Sequence, residues 1–579
     1  YGTQRKVTVT GAVTAIKGAE IVASPAVELT NSLSGRLPGL VVVQTSGEPG
    51  QDGARIRIRG SNTLGNSSPL VVIDGVPDRD GGFGRLNPGD IESISVLKDA
   101  AAAIYGARAA NGAIIVTTKR GKTGKPTLNY SYNYGNSQPT RVPQMANAVE
   151  YANIMNQLGI YRNVPVNEWG NAWSAINTSG TYQSPTPGVR AITAQYSPEA
   201  VKKHGDGSDP WRYPDTDWFG GSFKTWAPQH RQNLDLSGGT ENFNYFASMG
   251  YVHQDAIYRN SATFFNQYSF RTNIDAKISD HIKTNLGVQL RRDDRNYPTE
   301  SAGSIFRMLM RGRPTEHQVW PTRPGETEGR PGPDIENGQN PYVITTNATG
   351  YVKNPEDFIQ VNGGVDITNP WIKGLRLSLS AAVDKRSSVS KEWRTPWELY
   401  FWDNVSFEAD GKTPRLTPSV RSTFTDPRLT ERNGSVLNTN LTGLLAYDTK
   451  VGDDHNISAL VGVTQERFEG SNFFAFRRNF ISPALDQLFA GGTLQMNTNG
   501  SGYQRARLGY YGRAQYNFKE KYLAEFIWRY DGSYIFPKDG RFGFFPGLLL
   551  GYNITEEEWF KVPNLDRLKL RASYGQMGN

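Results

Sequence analysis

Thr127-Leu128-Asn129-Tyr130-Ser131-Tyr132-Asn133-Tyr134 alternates without a break. Successive side chains of a strand point to opposite faces, so Leu128, Tyr130, Tyr132 and Tyr134 share one face and Thr127, Asn129, Ser131 and Asn133 the other. One face is greasy and aromatic; the other is wet. The pattern returns along the chain. Ile282, Thr284, Leu286, Val288 and Leu290 oppose Lys283, Asn285, Gln289 and Arg291, and Tyr522, Ala524, Phe526, Trp528 and Tyr530 oppose Glu525, Arg529 and Asp531. About thirteen such strands are predicted, near 127–135, 231–238, 243–252, 264–276, 282–292, 357–368, 374–387, 435–448, 455–466, 505–518, 522–532, 547–555 and 567–575. Many reach the ~9–11 residues that a tilted strand needs to cross a bilayer, whereas strands of soluble sheets run to ~5–6.

The connections alternate too. Long gaps at 136–230, 253–263, 293–356, 388–434, 467–504 and 533–546 interleave with short ones at 239–242, 277–281, 369–373, 449–454 and 519–521, then a moderate one at 556–566. Short turns on one side and long loops on the other belong to an outer-membrane barrel. A soluble β-sandwich has no reason to produce them. The first strand leads into a long loop and so runs outward from the periplasm; the thirteenth also runs outward. Bacterial single-chain barrels close with an even strand number. Residues 126–579 are therefore expected to be the N-terminal part of a barrel whose sequence continues.

Composition agrees. Among 579 residues there is no cysteine, which excludes a disulfide scaffold and thiolate metal sites. Mean hydropathy is −0.54, and no apolar run approaches the ~20 residues of a spanning helix. A net charge of +8 suggests nucleic acid at first sight. Outside Lys119-Arg120-Gly121-Lys122, however, the basic residues are spread singly among acids, so no nucleic-acid partner is expected. Tyr1–Lys6 lack the apolar core of a signal peptide, so the chain reads as a mature or truncated form. No G-x-S-x-G, H-E-x-x-H or P-loop motif is present, and no carboxylate pair stands out for glycoside hydrolysis. The chain is not expected to be an enzyme.

Residues 1–125 read differently, as a compact α+β domain. Strands are predicted at Leu40–Val43, Ala54–Ile58, Leu70–Ile73, Asp90–Leu97 and Gly112–Thr118, with short helices over Pro25–Leu33 and Asp99–Tyr105. A further helix is predicted over Ala146–Gln157, inside the first long gap.

The run Asp90-Ile91-Glu92-Ser93-Ile94-Ser95-Val96-Leu97-Lys98-Asp99, then Tyr105-Gly106-Ala107-Arg108-Ala109-Ala110-Asn111-Gly112, closely resembles the plug signature of SusC/RagA-type TonB-dependent outer-membrane transporters. Leu33–Leu40, Ile56–Gly60 and Pro69–Pro77 resemble further plug segments of that family. The resemblance implies a mainly β fold: a transmembrane antiparallel β-barrel of about 22 strands when complete, with an N-terminal plug in its lumen. It implies TonB-dependent import of oligosaccharides, or of peptides in some members. A SusD-like lipoprotein would serve as extracellular lid, the TonB-ExbB-ExbD complex would supply energy, and the site would be the outer membrane of a Gram-negative cell of Bacteroidota type. The alternatives are a siderophore- or cobalamin-type receptor and a surface glycan-binding adhesin.

The resemblance singles out Asp90, Glu92, Lys98, Asp99, Tyr105, Gly106, Arg108, Asn111 and Gly112 as signature residues. Arg55, Arg57 and Arg59, which share one face of a strand, are expected as charges between plug and barrel. Asp74, Asp78 and Asp80 have the oxygen chemistry of a calcium site, although an Asp/Gly-rich polar turn accounts for them and is preferred; no cofactor is otherwise expected. Trp211, Trp218 and Trp226 would either stack on sugar rings or belong to an aromatic girdle at the membrane surface, and the girdle is preferred.

Overall fold

The computed structural model describes residues 12–576 apart from Arg59, 61–66, Asp80, Lys561 and Asn564, and the backbone alone at Ala12, Asp99, Ala100, Ala101, Ala103 and Ala107. Of the residues singled out above, Arg59, Asp80 and the Asp99 side chain thus lie outside the description.

The N-terminal part carries β1 (Ala12–Lys17), the hairpin β2 (Leu40–Gln44) and β3 (Ala54–Ile58), then β4 (Leu70–Ile73), β5 (Val76–Pro77), β6 (Ile91–Lys98) and β7 (Ala113–Thr118). The mixed sheet runs β1-β6-β7-β4-β5, with β4 and β7 parallel. Ile91, Ile94, Val96, Ile114 and Val116 point to one side and meet Ile21, Leu29, Leu33, Ile56 and Ile58 in a shared apolar core. The helix predicted over Pro25–Leu33 shrinks to Leu29–Ser32.

Thirteen long strands follow, joined each to the next in one antiparallel meander. They are β8 (Gly124–Ser137), β9 (Ala227–Gly239), β10 (Phe243–Asp255), β11 (Phe264–Lys277), β12 (Ile282–Tyr297), β13 (Glu356–Thr368), β14 (Leu375–Arg394), β15 (Arg428–Val451), β16 (His455–Arg478), β17 (Asn497–Phe518), β18 (Tyr522–Ser533), β19 (Phe542–Asn553) and β20 (Lys569–Gly575). A short piece, Gly350–Lys353, extends β13 beyond Pro355 and pairs with the same two neighbours. Proline has no N–H for the ladder, which accounts for the interruption.

This sheet is inside-out relative to a soluble protein. On β18 the exposed residues are Tyr522, Phe526 and Tyr530, while Glu525 and Arg529 are buried. Across neighbouring strands Leu286, Leu379, Leu441 and Val461 are exposed, while Gln289, Asp384, Asn440 and Glu466 are buried. An apolar outer face around a polar interior is what a lipid-facing wall requires. Aromatic rings mark both rims of that face. At the short-turn end Tyr522 and Tyr552 stack at 5.1 Å with planes 2° apart, and at the far end Tyr530 stacks on Phe542 at 5.0 Å. Eight residues of tilted strand separate Tyr522 from Tyr530, about 20 Å along the membrane normal, close to the ~25 Å apolar band of such barrels.

The long loops are built structures with cores of their own. The loop helix α1 (Ala148–Asn163) is longer than predicted and starts in a capping box made by Asn147 and Glu150. It packs with α2 (Trp169–Thr178) through Ile160, Val164, Ala172 and Ile176. A second loop core gathers Trp218, Phe219, Tyr258, Ile305, Met308 and Leu309.

Candidate functional site

The polar inner wall is where the two sheets meet. β6 runs directly into an irregular 3₁₀ segment, Asp99–Ala109, interrupted at Gly106 by φ 73° and ψ −149°. Only glycine occupies that region without strain. The Gly106 backbone lies so close to the wall that an added Cβ would sit 1.9 Å from Asp531 Oδ2 and 2.7 Å from Arg529 Nε. Arg529 donates through Nη1 to the Ile104 carbonyl at 3.0 Å and through Nε to Asp531 at 2.9 Å. Beside this contact Tyr105, Ile104 and Ala102 pack on Ile527 and Leu549, inward apolar residues of β18 and β19.

Arg108 reaches in two directions. Nη1 donates to Asp78 Oδ2 at 2.8 Å, and Nη2 donates to Glu466 on β16. Asp90 accepts from Ser248 Oγ at 2.6 Å and faces Arg271 at 3.4 Å. Burial pushes the Asp90 carboxyl above its ordinary range, against the pull of Arg271 and Ser248. Asp74, at φ 49°, accepts from the Thr118 N–H at 2.9 Å and its hydroxyl at 2.8 Å, with Arg271 3.6 Å away. Asp74 and Asp78 thus fasten a turn and meet arginines.

The remaining signature residues serve the plug itself. Lys98 is buried and donates to the Pro38 carbonyl. Gly112, at φ 82°, leaves no room for a side chain beside Leu97 O and Ile58. Asn111 is buried, and Glu92 is exposed, 3.8 Å from Lys122.

The sequence pointed to Arg55 and Arg57 for the charges between the two parts. The structure places both on the exposed face of β3, with Ile56 and Ile58 turned into the core. Beyond the pairs of Arg108, Asp90 and Asp74, further plug–wall contacts come from residues not singled out. Arg79 meets Asp384 of β14 at 3.0 Å and donates to Asn362 of β13 at 2.8 Å. Arg291 donates to the Gly81 carbonyl at 3.3 Å with its guanidinium 3.8 Å over Phe358, and Arg231 donates to Ala26 O at 3.2 Å. Asp52 accepts from Arg85 at 2.7 Å and from Gln254 at 3.0 Å. A signal for the wall residues existed: Asp384, Glu466 and Arg529 all stand on the wet phase of alternating strands.

The tryptophans divide. Trp218 is 3% exposed in the loop core, with Nε1 donating to Arg313 O at 2.8 Å. Neighbours cover its ring, which corrects both the sugar-platform and the girdle expectation for this residue. Trp211 stacks on Trp320 at 5.8 Å in a loop cluster with Trp402. Trp226 is half-exposed just before β9.

At the top of the plug, the loop 45–53 is tied to the wall by Tyr297, whose hydroxyl donates to Pro49 O at 2.9 Å, and by Gln254, which accepts from the Gly50 N–H at 3.2 Å. Glu48 is buried there, near Tyr258 and Tyr297. Burial lifts its carboxyl from 4.5 to about 7. An acid whose folded pKa is raised holds its proton longer when folded, so stability falls as pH rises from 4.5 to about 7 and stays lower above. Glu48→Gln is expected to leave plug stability unchanged at pH 4 and to raise it at pH 8 by on the order of 2–3 kcal/mol. Urea unfolding followed at both pH values checks this; equal shifts at both would refute it.

A family model for the TonB-dependent receptor plug domain matches residues 5–113. Over its whole length the chain is 27% identical to a TonB-dependent receptor of Formosa agariphila, of which it spans 52%. It is 28% identical to the TonB-dependent receptor SusC of Bacteroides thetaiotaomicron, of which it spans 53%. Among solved structures, the RagAB peptide importer in its "open-open" state shares the fold, with a TM-score of 0.76 at 24% identity over 99% of this chain and 60% of that one. The chain spans about half the length of the curated relatives it matches. A plug held against barrel strands in this way is the architecture of TonB-dependent receptors, which the chain resembles along its whole length. Within that class the relatives it resembles include SusC, and the fold is shared with the RagAB importer.

Proposed function

We propose that the receptor imports oligosaccharides or peptides across the outer membrane, with energy from the TonB-ExbB-ExbD complex and a SusD-like lipoprotein as its extracellular lid. The observation that carries this reading is the chemistry of the plug–wall contact. It is made largely of hydrogen bonds and ion pairs, from Arg79–Asp384 to Arg271–Asp90. When such a contact opens, water can solvate both faces, so separation costs far less than parting a greasy interface of equal area. A permanent core would be built the other way. The structured loops at the outer end give a lid a firm surface to close on, and the likeness to SusC and to the RagAB peptide importer points to the same class of cargo.

Uptake of radiolabelled oligosaccharide and peptide mixtures by cells, with and without the receptor and with and without TonB, tests this. At least a tenfold loss of uptake in either deletion is expected. Uptake that persists without TonB would refute energised import, and binding without uptake would make the protein an adhesin.

A further inference from the structure

β17 stands taller than the strand beside it. It pairs with β16 from Asn497 to Phe518 without a shift of register, but with β18 only from Arg507 to Phe518. Above Arg507 its other side is a free strand edge at the extracellular end of the wall, and every residue of Asn497–Ala506 is exposed. The Ala506 carbonyl, which accepts from the Tyr534 N–H at 3.2 Å, points to that side. Backbone groups alternate sides along a paired strand, so Thr498, Gly500, Gly502 and Gln504 aim their N–H and C=O groups the same way. Of these N–H groups, that of Gly500 meets the Asn499 side chain at 2.7 Å. Those of Thr498, Gly502 and Gln504 have no protein partner among the described residues.

Exposed strand edges are ordinarily guarded by proline, by a bulge or by several charges, because they template further pairing. This edge has no proline and no bulge, and Arg505 is its one charge. The short connection 534–541 leaves it uncovered, since the chain turns back into β19. A second receptor in the same membrane cannot cover it either. Its β17 would also run inward, and an antiparallel partner must run outward. The free donors and acceptors recur every ~6.8 Å, two residues of strand, which is the repeat of an extended peptide backbone. On the lumen side of the same stretch, in phase with buried Tyr511, stand Tyr503 and Arg505. The Arg505 guanidinium lies 4.3 Å over the Tyr503 ring and 5.6 Å from that of Tyr534. Arg507 faces Glu466 at 3.5 Å, but Arg505 meets no carboxylate among the described residues.

We propose that the edge Asn497–Ala506 captures an extended peptide as an added strand, running outward against β17 with an acidic side chain turned to Arg505. This rests on the import reading above and narrows its cargo to peptides. Strand addition takes its affinity from main-chain hydrogen bonds, so it accepts many sequences, and alternate side chains supply what selectivity there is. Here the lumen-side phase supplies it, through a cation that the protein leaves without a counter-ion. About nine residues of peptide are held, a span of ~30 Å. The captured strand fills the step in the wall where tall β17 meets low β18, at the rim of the lumen.

The test uses the full-length receptor in detergent, without TonB, and fluorescence polarisation of a labelled peptide about nine residues long, of alternating Thr and Val with one central Glu. Wild type is expected to bind it, and to bind its fully N-methylated counterpart, which has no backbone donors, at least tenfold more weakly. Gly502→Pro and Gln504→Pro each remove an N–H that faces the free edge and spare the ladder to β16. Each is expected to weaken binding at least tenfold, whereas Thr498→Ala, which alters a side chain alone, should not. Arg505→Glu should reverse the preference, so that a peptide with Lys in place of Glu binds better. Heat-modifiable gel mobility confirms that each variant is folded. Folded proline variants that bind like wild type, equal binding of the N-methylated peptide, a charge preference indifferent to Arg505→Glu, or no binding by wild type because another segment holds the edge would each overturn the proposal. Because TonB is absent, these outcomes are separate from the cell-uptake result on which energised import stands or falls.

Discussion

Gly106→Ala is expected to free the plug signature segment from the wall. The native backbone at φ 73° and ψ −149° costs a non-glycine residue ~1–3 kcal/mol. The new Cβ would also fall 1.9 Å from Asp531 Oδ2 and 2.7 Å from Arg529 Nε. One of those groups must move. Arg529 then loses its hold on the Ile104 carbonyl or its bond to Asp531, and breaking a buried pair of this kind costs ~3–5 kcal/mol. The two terms overlap, so a loss of roughly 4 kcal/mol in plug docking is expected. Where proteolysis follows the population of the open state, that becomes a cleavage rate about 10³-fold higher within the plug. Limited proteolysis of outer membranes measures it. Gly159→Ala is the control: it lies within helix α1, nothing stands within 4 Å of its Cβ, and it should stabilise by up to ~1 kcal/mol. Wild-type cleavage kinetics for Gly106→Ala would remove the latch from this picture.

Phe526→Arg separates a lipid-facing wall from a soluble sheet. Phe526 is 44% exposed, midway between the rims marked by Tyr522 and Tyr530. Were that face in water, arginine would be neutral or helpful. At the centre of a bilayer it costs ~2–4 kcal/mol. Refolding into lipid vesicles should show that loss, read from the urea midpoint at constant slope. Ser471→Arg, on the same outward phase of β16 but beyond the apolar band, should change little. Equal behaviour of the two variants would argue against a membrane-spanning band.

These expectations also show what a sequence reveals and what it conceals. All thirteen strands are legible because lipid on one side and the lumen on the other impose opposite chemistries on alternate residues. The same reasoning fails where lipid ends. β16 was predicted over 455–466 but runs to Arg478, and β15 was predicted over 435–448 but begins at Arg428. Beyond Glu466 most residues on both faces of β16 are at least partly exposed, so alternation fades although the ladder continues. The loop helices were missed except for α1. Trp169–Thr178 packs on α1 of its own long loop and Ala302–Arg311 against other loops, partnerships that no single stretch of sequence carries. At the plug–wall contact the sequence identified one partner of several pairs, Asp90 and Arg108 among them. Their counterparts Arg271 and Glu466 lie more than 150 residues away, fixed only when the register of the barrel brings them inside. For Arg55 and Arg57 alternation says that two arginines share a face, not which way that face looks; in this chain it is the exposed one.

The overlong strands have a mechanical consequence. On β16 the last outward aliphatic residue of the band is Val463, and the ladder to β15 and β17 persists for over a dozen residues beyond it. At ~3.4 Å per residue and a tilt near 40°, that is a stiff parapet rising about 35 Å above the hydrocarbon. The loop at 479–496 rides on its crest. A short epitope inserted there should therefore reach antibody on intact cells, clear of the glycolipid canopy through which a receptor with strands trimmed to the bilayer would have to be found.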